Sequence, residues 1–250
     1  MLTAAEHGAT IATISRYMHT HLGRDYRVPD DALLALPDGL SPSDWHLTPP
    51  TAIPEPARAG FVFAMGRAVP YKGFDDLLDA LTLLRAQGTL VPHLLLAAVT
   101  DQPEPGDYQQ QLAEIIARRN LDITLLSRFD PDIRRLLAHP ALTAVVVPSR
   151  AEPFGRVPLE SYAAGAAPVI ATTAGGLAEQ VVDGHTGFAA TPSDPVSLAA
   201  AIGRGLTLTS ADRDRMRDQA RRFAAATYDH PQAVRTFLGQ VAPWLALPVT

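Results

Sequence analysis

The chain has 250 residues, 47% of them apolar, with a net charge of −5 and no cysteine. That is enough apolar mass to bury a sizeable core in one large or two small domains. The acidic balance argues against an extended nucleic-acid footprint, and the absence of thiols excludes disulfides, cysteine chemistry and cysteine-ligated metals. No apolar run approaches the ~20 residues of a spanning helix, and no basic stretch followed by an apolar one opens the chain, so a soluble cytoplasmic protein is expected.

Taken in order, residues 10–14 read as a strand, 16–26 as a short helix and 33–36 as a second strand closed by the turn Pro37-Asp38-Gly39. Residues 41–58 carry Pro42, Pro49, Pro50, Pro54 and Pro56. Proline removes backbone donors and disfavours helix, so a linker is expected over 41–59. It would separate an N-terminal piece, 1–40, from a main domain, 60–208, and C-terminal helices, 209–250.

The main domain opens with a strand at 61–65 and a loop at 66–73. Phe74, Leu77, Leu78, Leu81 and Leu84 then fall on one face of a helix. Asp75 and Asp76 occupy its first turn, where the helix dipole favours negative charge, and Gly88 ends it. The alternation continues with strand 93–99, helix 107–119, strand 122–126, helix 131–138 and strand 143–148. Helix 157–164, strand 168–171, a helix at 177–182 and a short strand at 187–190 follow. Ser193-Asp194-Pro195 opens helix 195–206 with a cap and a first-position proline, and the tail reads as helices 210–227 and 231–246. Strands alternating with amphipathic helices specify an α/β protein with a doubly wound parallel sheet of Rossmann-like type. Ligands bind such sheets at the carboxyl ends of the strands.

Three loops fall at those ends and carry polar residues. The first holds Gly66, Arg67, Lys72 and Gly73, where an anion would meet two cations and a helix N-terminus. The alternative is a pair of solvated cations on an ordinary turn. The second holds Glu152 and, after Gly155, Glu160. A glycosidase pair is disfavoured, because the dipole of the helix on whose first turns Glu160 sits keeps that carboxylate ionised. An ionised carboxylate accepts hydrogen bonds from vicinal hydroxyls. The third is Thr172-Thr173-Ala174-Gly175-Gly176-Leu177, where paired glycines allow close approach to the backbone. None of the three is a dinucleotide fingerprint or a Walker loop, and the histidines show no ligand spacing.

The order Gly66-Arg67, Lys72-Gly73, Pro148-Ser149, Glu152-Pro153-Phe154-Gly155, Glu160, Gly165, Gly175-Gly176-Leu177 and Asp183-Gly184-His185-Thr186-Gly187 resembles the donor domain of the GT-B retaining glycosyltransferases of group 1. The two glutamates with seven residues between them are that family's signature. The resemblance runs from about residue 60 to 205, and residues 9–47 are similar to the last strand and helix of the family's acceptor domain. It implies transfer of a hexose from a nucleoside-diphosphate (NDP) sugar with retention. The NDP-sugar is a co-substrate, with no other cofactor and no metal.

On the matching positions, Arg67 and Lys72 would hold the diphosphate and stabilise the leaving group, and Glu152 would bond the sugar hydroxyls. Gly66, Phe154, Gly155, Arg156 and Val157 would complete the donor site, the backbone around Gly155 supplying N–H groups. Glu160 would bind the ribose. Arg128 stands near where the family packs the base, with Ser127-Arg128 in place of the usual glycine.

The acceptor pocket, with the histidine and glycine loop that the family places there, falls outside this sequence. Half of a split enzyme needing a partner chain, a truncated product, or a lone NDP-sugar-binding module are the three expectations. Another GT-B activity, such as an epimerase or phosphorylase, and a purely structural α/β domain are further alternatives. An apolar patch is expected over residues 1–40 and at Phe237, Leu238, Val241, Trp244 and Leu245, covered by a partner chain or by self-association. The sequence does not fix the nucleotide, the sugar or the acceptor.

Overall fold

A computed structural model describes residues 2–244 apart from 103 and 167. Leu245 and the end of the last expected helix lie outside the described residues. The N-terminal piece begins with α1 (Leu2–Glu6), which the sequence pattern did not indicate. It continues with β1 (Ile11–Thr13), α2 (Arg16–Tyr26) and β2 (Leu33–Ala35), the two strands pairing in parallel. Leu22, Val28 and Leu33 form its small core.

The main domain is built on six parallel strands: β3 (Phe61–Arg67), β4 (His93–Thr100), β5 (Ile123–Arg128), β6 (Leu142–Val147), β7 (Val169–Thr172) and β8 (Gly187–Ala190). Their spatial order is β5-β4-β3-β6-β7-β8. The sheet grows one way from β3 and the other way from β6. The loops leaving those two strands therefore diverge and open a crevice at their carboxyl ends.

Both faces of the sheet are covered, which explains the continuous apolar runs of its strands. Phe61, Phe63, Leu95, Ala97, Val145 and Val147 point to one side, against Leu159 and Tyr162 of α5 (Val157–Ala164) and Ala220 and Ala224 of α7 (Ser210–Thr227). Val62, Ala64, Leu94, Leu96, Ala144 and Val146 point to the other, against α3 (Phe74–Ala86), α4 (Asp107–Arg119) and α6 (Pro195–Leu206). The five residues read as the apolar face of α3 are all buried. Asp194 caps α6 by accepting from Val196 and Ser197, and Gly165, at φ 77°, ends α5. A final helix, α8, runs His230–Val241.

Two expected α-helices are 3-10 helices instead. Pro131–Ala138 is confined between Asp130 and His139, which precedes a proline and is extended. Gly175–Glu179 is pinned to the neighbouring loop by a hydrogen bond from Gly176 N to the Glu152 carbonyl (2.9 Å).

The proline-rich segment contains no α-helix, but it lies against the domain. It forms 3-10 helices at Pro42–His46 and Glu55–Ala59, buries Ala57, and packs Trp45, Leu47 and Ile53 on the core. Arg135 donates to the carbonyls of Thr48 (2.9 Å) and Pro49 (3.1 Å). The N-terminal piece is tied to the same body. Ser15 Oγ donates to the Pro153 carbonyl (2.7 Å), and the Glu179 carboxylate accepts from the backbone of Arg16 (3.2 Å) and Tyr17 (2.7 Å) at the start of α2.

Of the expected apolar patch, Ile14, Tyr17, Tyr26 and Trp244 are exposed, whereas Phe237, Leu238 and Val241 are half-buried. No helix among the described residues is long and apolar enough to cross a membrane.

Candidate functional site

The crevice between β3 and β6 is assembled by three loops whose backbones touch. The loop after β3 ends in a 3-10 turn, Pro70–Lys72, and then Gly73 at φ 66°. A Cβ on Gly73 would stand 2.2 Å from the Pro148 carbonyl oxygen, so only glycine lets this loop press against the end of β6. The contact is reinforced by Arg150 N donating to the Tyr71 carbonyl (2.8 Å). From the far side, the loop after β7 supports the Glu152 segment. Gly175, at φ 54°, would place a Cβ 2.2 Å from the Glu152 carbonyl oxygen, and Gln180 Nε2 donates to the Phe154 carbonyl (2.8 Å).

This scaffold brings Lys72 and Glu152 into an ion pair, with 17% and 11% of their side chains exposed. Ser149 Oγ lies 3.4 Å from the same carboxylate oxygen. Arg67 is exposed at the rim and donates to the Tyr71 hydroxyl. The Tyr71 ring stands between the two cations, 5.9 Å from Arg67 Cζ and 5.8 Å from Lys72 Nζ, close enough for cation–π attraction to both.

Glu160, on α5, is 12% exposed and flanked by Arg156 Nε (3.3 Å) and Arg134 Nη1 (3.5 Å), both facing Oε1. Burial works against the Arg156 charge, but Asp38, Glu160 and Asp44 overcome it and hold its pKa above the ordinary value.

Two cavities open here. One of about 490 Å³ is lined by Arg67, Lys72, Glu152, Phe154, Gly155 and Arg156. The other, about 670 Å³, is lined by Gly66, Phe129, Asp130, Arg134, Arg135 and Glu160. Met65, Arg67 and Val157 border both, so they form one trough with Arg67 at the joint. The cations and glutamates read from sequence thus converge on one concavity. Arg128 does not join them. It is exposed at the end of β5, lines neither cavity, and its neighbour Phe129 takes the place on the wall.

Several residues of the site escaped the sequence reading. Arg150 donates to Asp76 (Nε to Oδ2 2.7 Å, Nη2 to Oδ1 2.6 Å), to Asp75 Oδ2 (2.7 Å) and to the Pro70 carbonyl (3.1 Å). It clamps the first loop to the second. The hydrogen bonds that Arg150 donates to Asp76, in the first place, hold the Arg150 pKa above its already high ordinary value. Asp75 and Asp76, read as dipole partners of α3, are also its counter-ions. Tyr71, Arg134, Asp38 and Asp44 were likewise missed. The one signal that could have found Arg150 is its place in a strand-end loop beside Glu152.

The match to known proteins fits this geometry. The family described as glycosyl transferases group 1 matches residues 51–223. The chain belongs to that family. Over 143 residues it is 38% identical to the D-inositol 3-phosphate glycosyltransferase of Frankia alni, an overlap of 56% of this chain and 35% of that protein. Over 204 residues it is 31% identical to the glycogen synthase of Mycobacterium tuberculosis, covering 82% of this chain and 46% of that one. The chain thus spans less than half the length of either relative. The fold of this group 1 chain matches a glycosyltransferase from Rickettsia africae with a TM-score of 0.81, at 21% identity over 98% of this chain and 68% of the other. It matches Anabaena HepE, solved with UDP and glucose, with a TM-score of 0.76, at 24% identity over 97% of this chain and 68% of the other.

Proposed function

We propose that this chain is the donor-binding half of a retaining hexosyltransferase that takes an NDP-sugar, needs no metal ion, and is completed by an acceptor-binding part. The observation that carries the reading is the Lys72–Glu152 ion pair beside the joint of a two-part trough, with a second carboxylate, Glu160, in the other part. A diphosphate fits at the joint against Arg67 and Lys72, with the sugar beside Glu152 and the nucleoside toward Glu160. As the glycosidic bond breaks, negative charge grows on the departing phosphate oxygen. Cations already fixed in place stabilise that charge more than the ground state, and so lower the barrier. In the free protein the contact with Lys72 fixes the Glu152 carboxylate in place, where its oxygens can accept hydrogen bonds from sugar hydroxyls.

Calorimetry with UDP, ADP, GDP and their glucose conjugates tests this. Lys72→Ala should weaken nucleoside-diphosphate binding at least about tenfold, the value of one charge-assisted hydrogen bond. Glu152→Gln, which frees Lys72 from its counter-ion, should weaken the sugar conjugate relative to the free diphosphate, and a chelator should change neither. Wild-type affinity in Lys72→Ala would refute the reading. Donor binding without transfer, even with an acceptor-binding half supplied, would favour a binding module.

A further inference from the structure

The proline-rich segment borders the nucleoside end of the trough with Leu47 and grips the arginines there through one nearly buried carboxylate. Asp44 is 6% exposed. Its Oδ2 accepts from Ser41 N (2.8 Å), which fixes it in the Pro42–His46 turn. Its other contacts are the two guanidiniums that flank Glu160: Arg134 Nη1 donates to Oδ1 (3.0 Å) and Arg156 Nη2 to Oδ2 (3.3 Å). Arg156 is also held by Asp38 Oδ1 (2.8 Å) and the Gly39 carbonyl (2.7 Å). Three carboxylates therefore share two guanidiniums, and the segment before the main domain supplies two of the three.

The consequence falls on Glu160. The shortest contact of each guanidinium is to its Oε1, and among the described residues no hydrogen bond engages Oε2. A carboxylate held by one oxygen with the other left open on a cavity wall is set to accept from a ligand hydroxyl. Without Asp44, Arg134 would turn onto Glu160 and engage both of its oxygens, because a guanidinium binds a carboxylate best with two parallel bonds, while Asp38 and the Gly39 carbonyl would still hold Arg156.

We propose that Asp44 is a positioning residue for ribose recognition: by drawing Arg134 toward itself it keeps Glu160 Oε2 free for the nucleotide's vicinal diol. The inference rests on the reading of Glu160 as the ribose-binding carboxylate. It makes the linker part of the donor site and a determinant of selectivity for ribonucleotides.

The test is calorimetry on the whole chain with UDP, ADP and GDP and their 2′-deoxy counterparts, using the tightest pair. The wild type should bind the ribo form about tenfold or more tightly than the deoxy form, the worth of a hydrogen bond to a charged group. Asp44→Asn should reduce that ratio to about twofold while leaving deoxy binding nearly unchanged, and should have no further effect in a Glu160→Gln background. A thermal melt checks that the variant folds. If it does not, Arg134→Gln removes the guanidinium that Asp44 holds off: the ratio should then stay at about tenfold or more, and a fall to about twofold would overturn the inference. Loss of the ratio in Glu160→Gln but not in Asp44→Asn would overturn the inference and leave the function standing. Equal weakening of ribo and deoxy binding by Asp44→Asn would mark a merely structural role and overturn it as well. A ratio that survives Glu160→Gln, or no binding of any diphosphate by the wild type, would bring down the reading of the site and the inference together.

Discussion

Arg150→Gln removes the charge that joins the two loops at the switch point. The substitution leaves Asp76, whose side chain is 10% exposed, without its guanidinium and strips Asp75 of a second partner. Breaking a buried ion pair from one side costs about 3–5 kcal/mol. The Arg150 side chain is 30% exposed, so solvent screening brings the expected loss to about 2–3 kcal/mol. For a chain of this size that lowers the unfolding midpoint by about 4–12 °C.

The pH dependence of that loss follows from Asp75. Burial opposes its charge, yet the Tyr108 hydroxyl and Arg150 hold its pKa below the ordinary value of 3.8. A depressed carboxylate stabilises the fold above its unfolded pKa, and that contribution disappears as pH falls through the lower folded value. The gap between wild type and Arg150→Gln should therefore be full at pH 7 and close below about pH 4. Adding Asp76→Asn to Arg150→Gln should recover part of the loss, because the orphaned carboxylate is gone. Urea and thermal unfolding across pH read all three quantities. A variant within about 0.5 kcal/mol of wild type at pH 7, or a gap that widens in acid, would refute the clamp.

Two further substitutions probe the scaffold. Gly175→Ala forces a left-handed alanine, about 1–2 kcal/mol, against the Glu152 carbonyl oxygen 2.2 Å away; urea unfolding should show at least that loss, with weaker sugar-conjugate binding in calorimetry. Tyr162→Phe removes a fully buried hydroxyl bonded to the Gln180 carbonyl (3.2 Å) and Thr186 Oγ1 (3.3 Å), which should cost about 1 kcal/mol. Burial pushes the Tyr162 hydroxyl far above its ordinary pKa, so the loss should be the same at pH 6 and pH 9.

Much of the fold was legible because period carries it. The helices at 195–206 and 210–227 end where their caps and apolar spacing place them, and strand edges moved by only a residue or two. Misreadings cluster where local signals compete with tertiary contact. The α-helix expected over 177–182 gives way to the 3-10 turn Gly175–Glu179, whose glycines are spent on approaching the Glu152 loop. Proline content disfavoured α-helix in the linker but gave neither its two 3-10 turns nor its docking, since Trp45, Leu47 and Ile53 find their partners only once the core exists.

The sequence alone determined which chemistries were available: a cationic loop, two carboxylates and a glycine pair, each at the end of a parallel strand. Only the tertiary structure decided which charges meet. Lys72 finds Glu152 across 80 positions, Arg150 finds Asp76 across 74, and Asp44 finds Arg134 across 90. In one dimension a paired arginine and a solvated one look alike. Strand order makes the loops of the first two pairs neighbours, docking of the proline-rich segment makes the third, and burial then gives the pairing its strength.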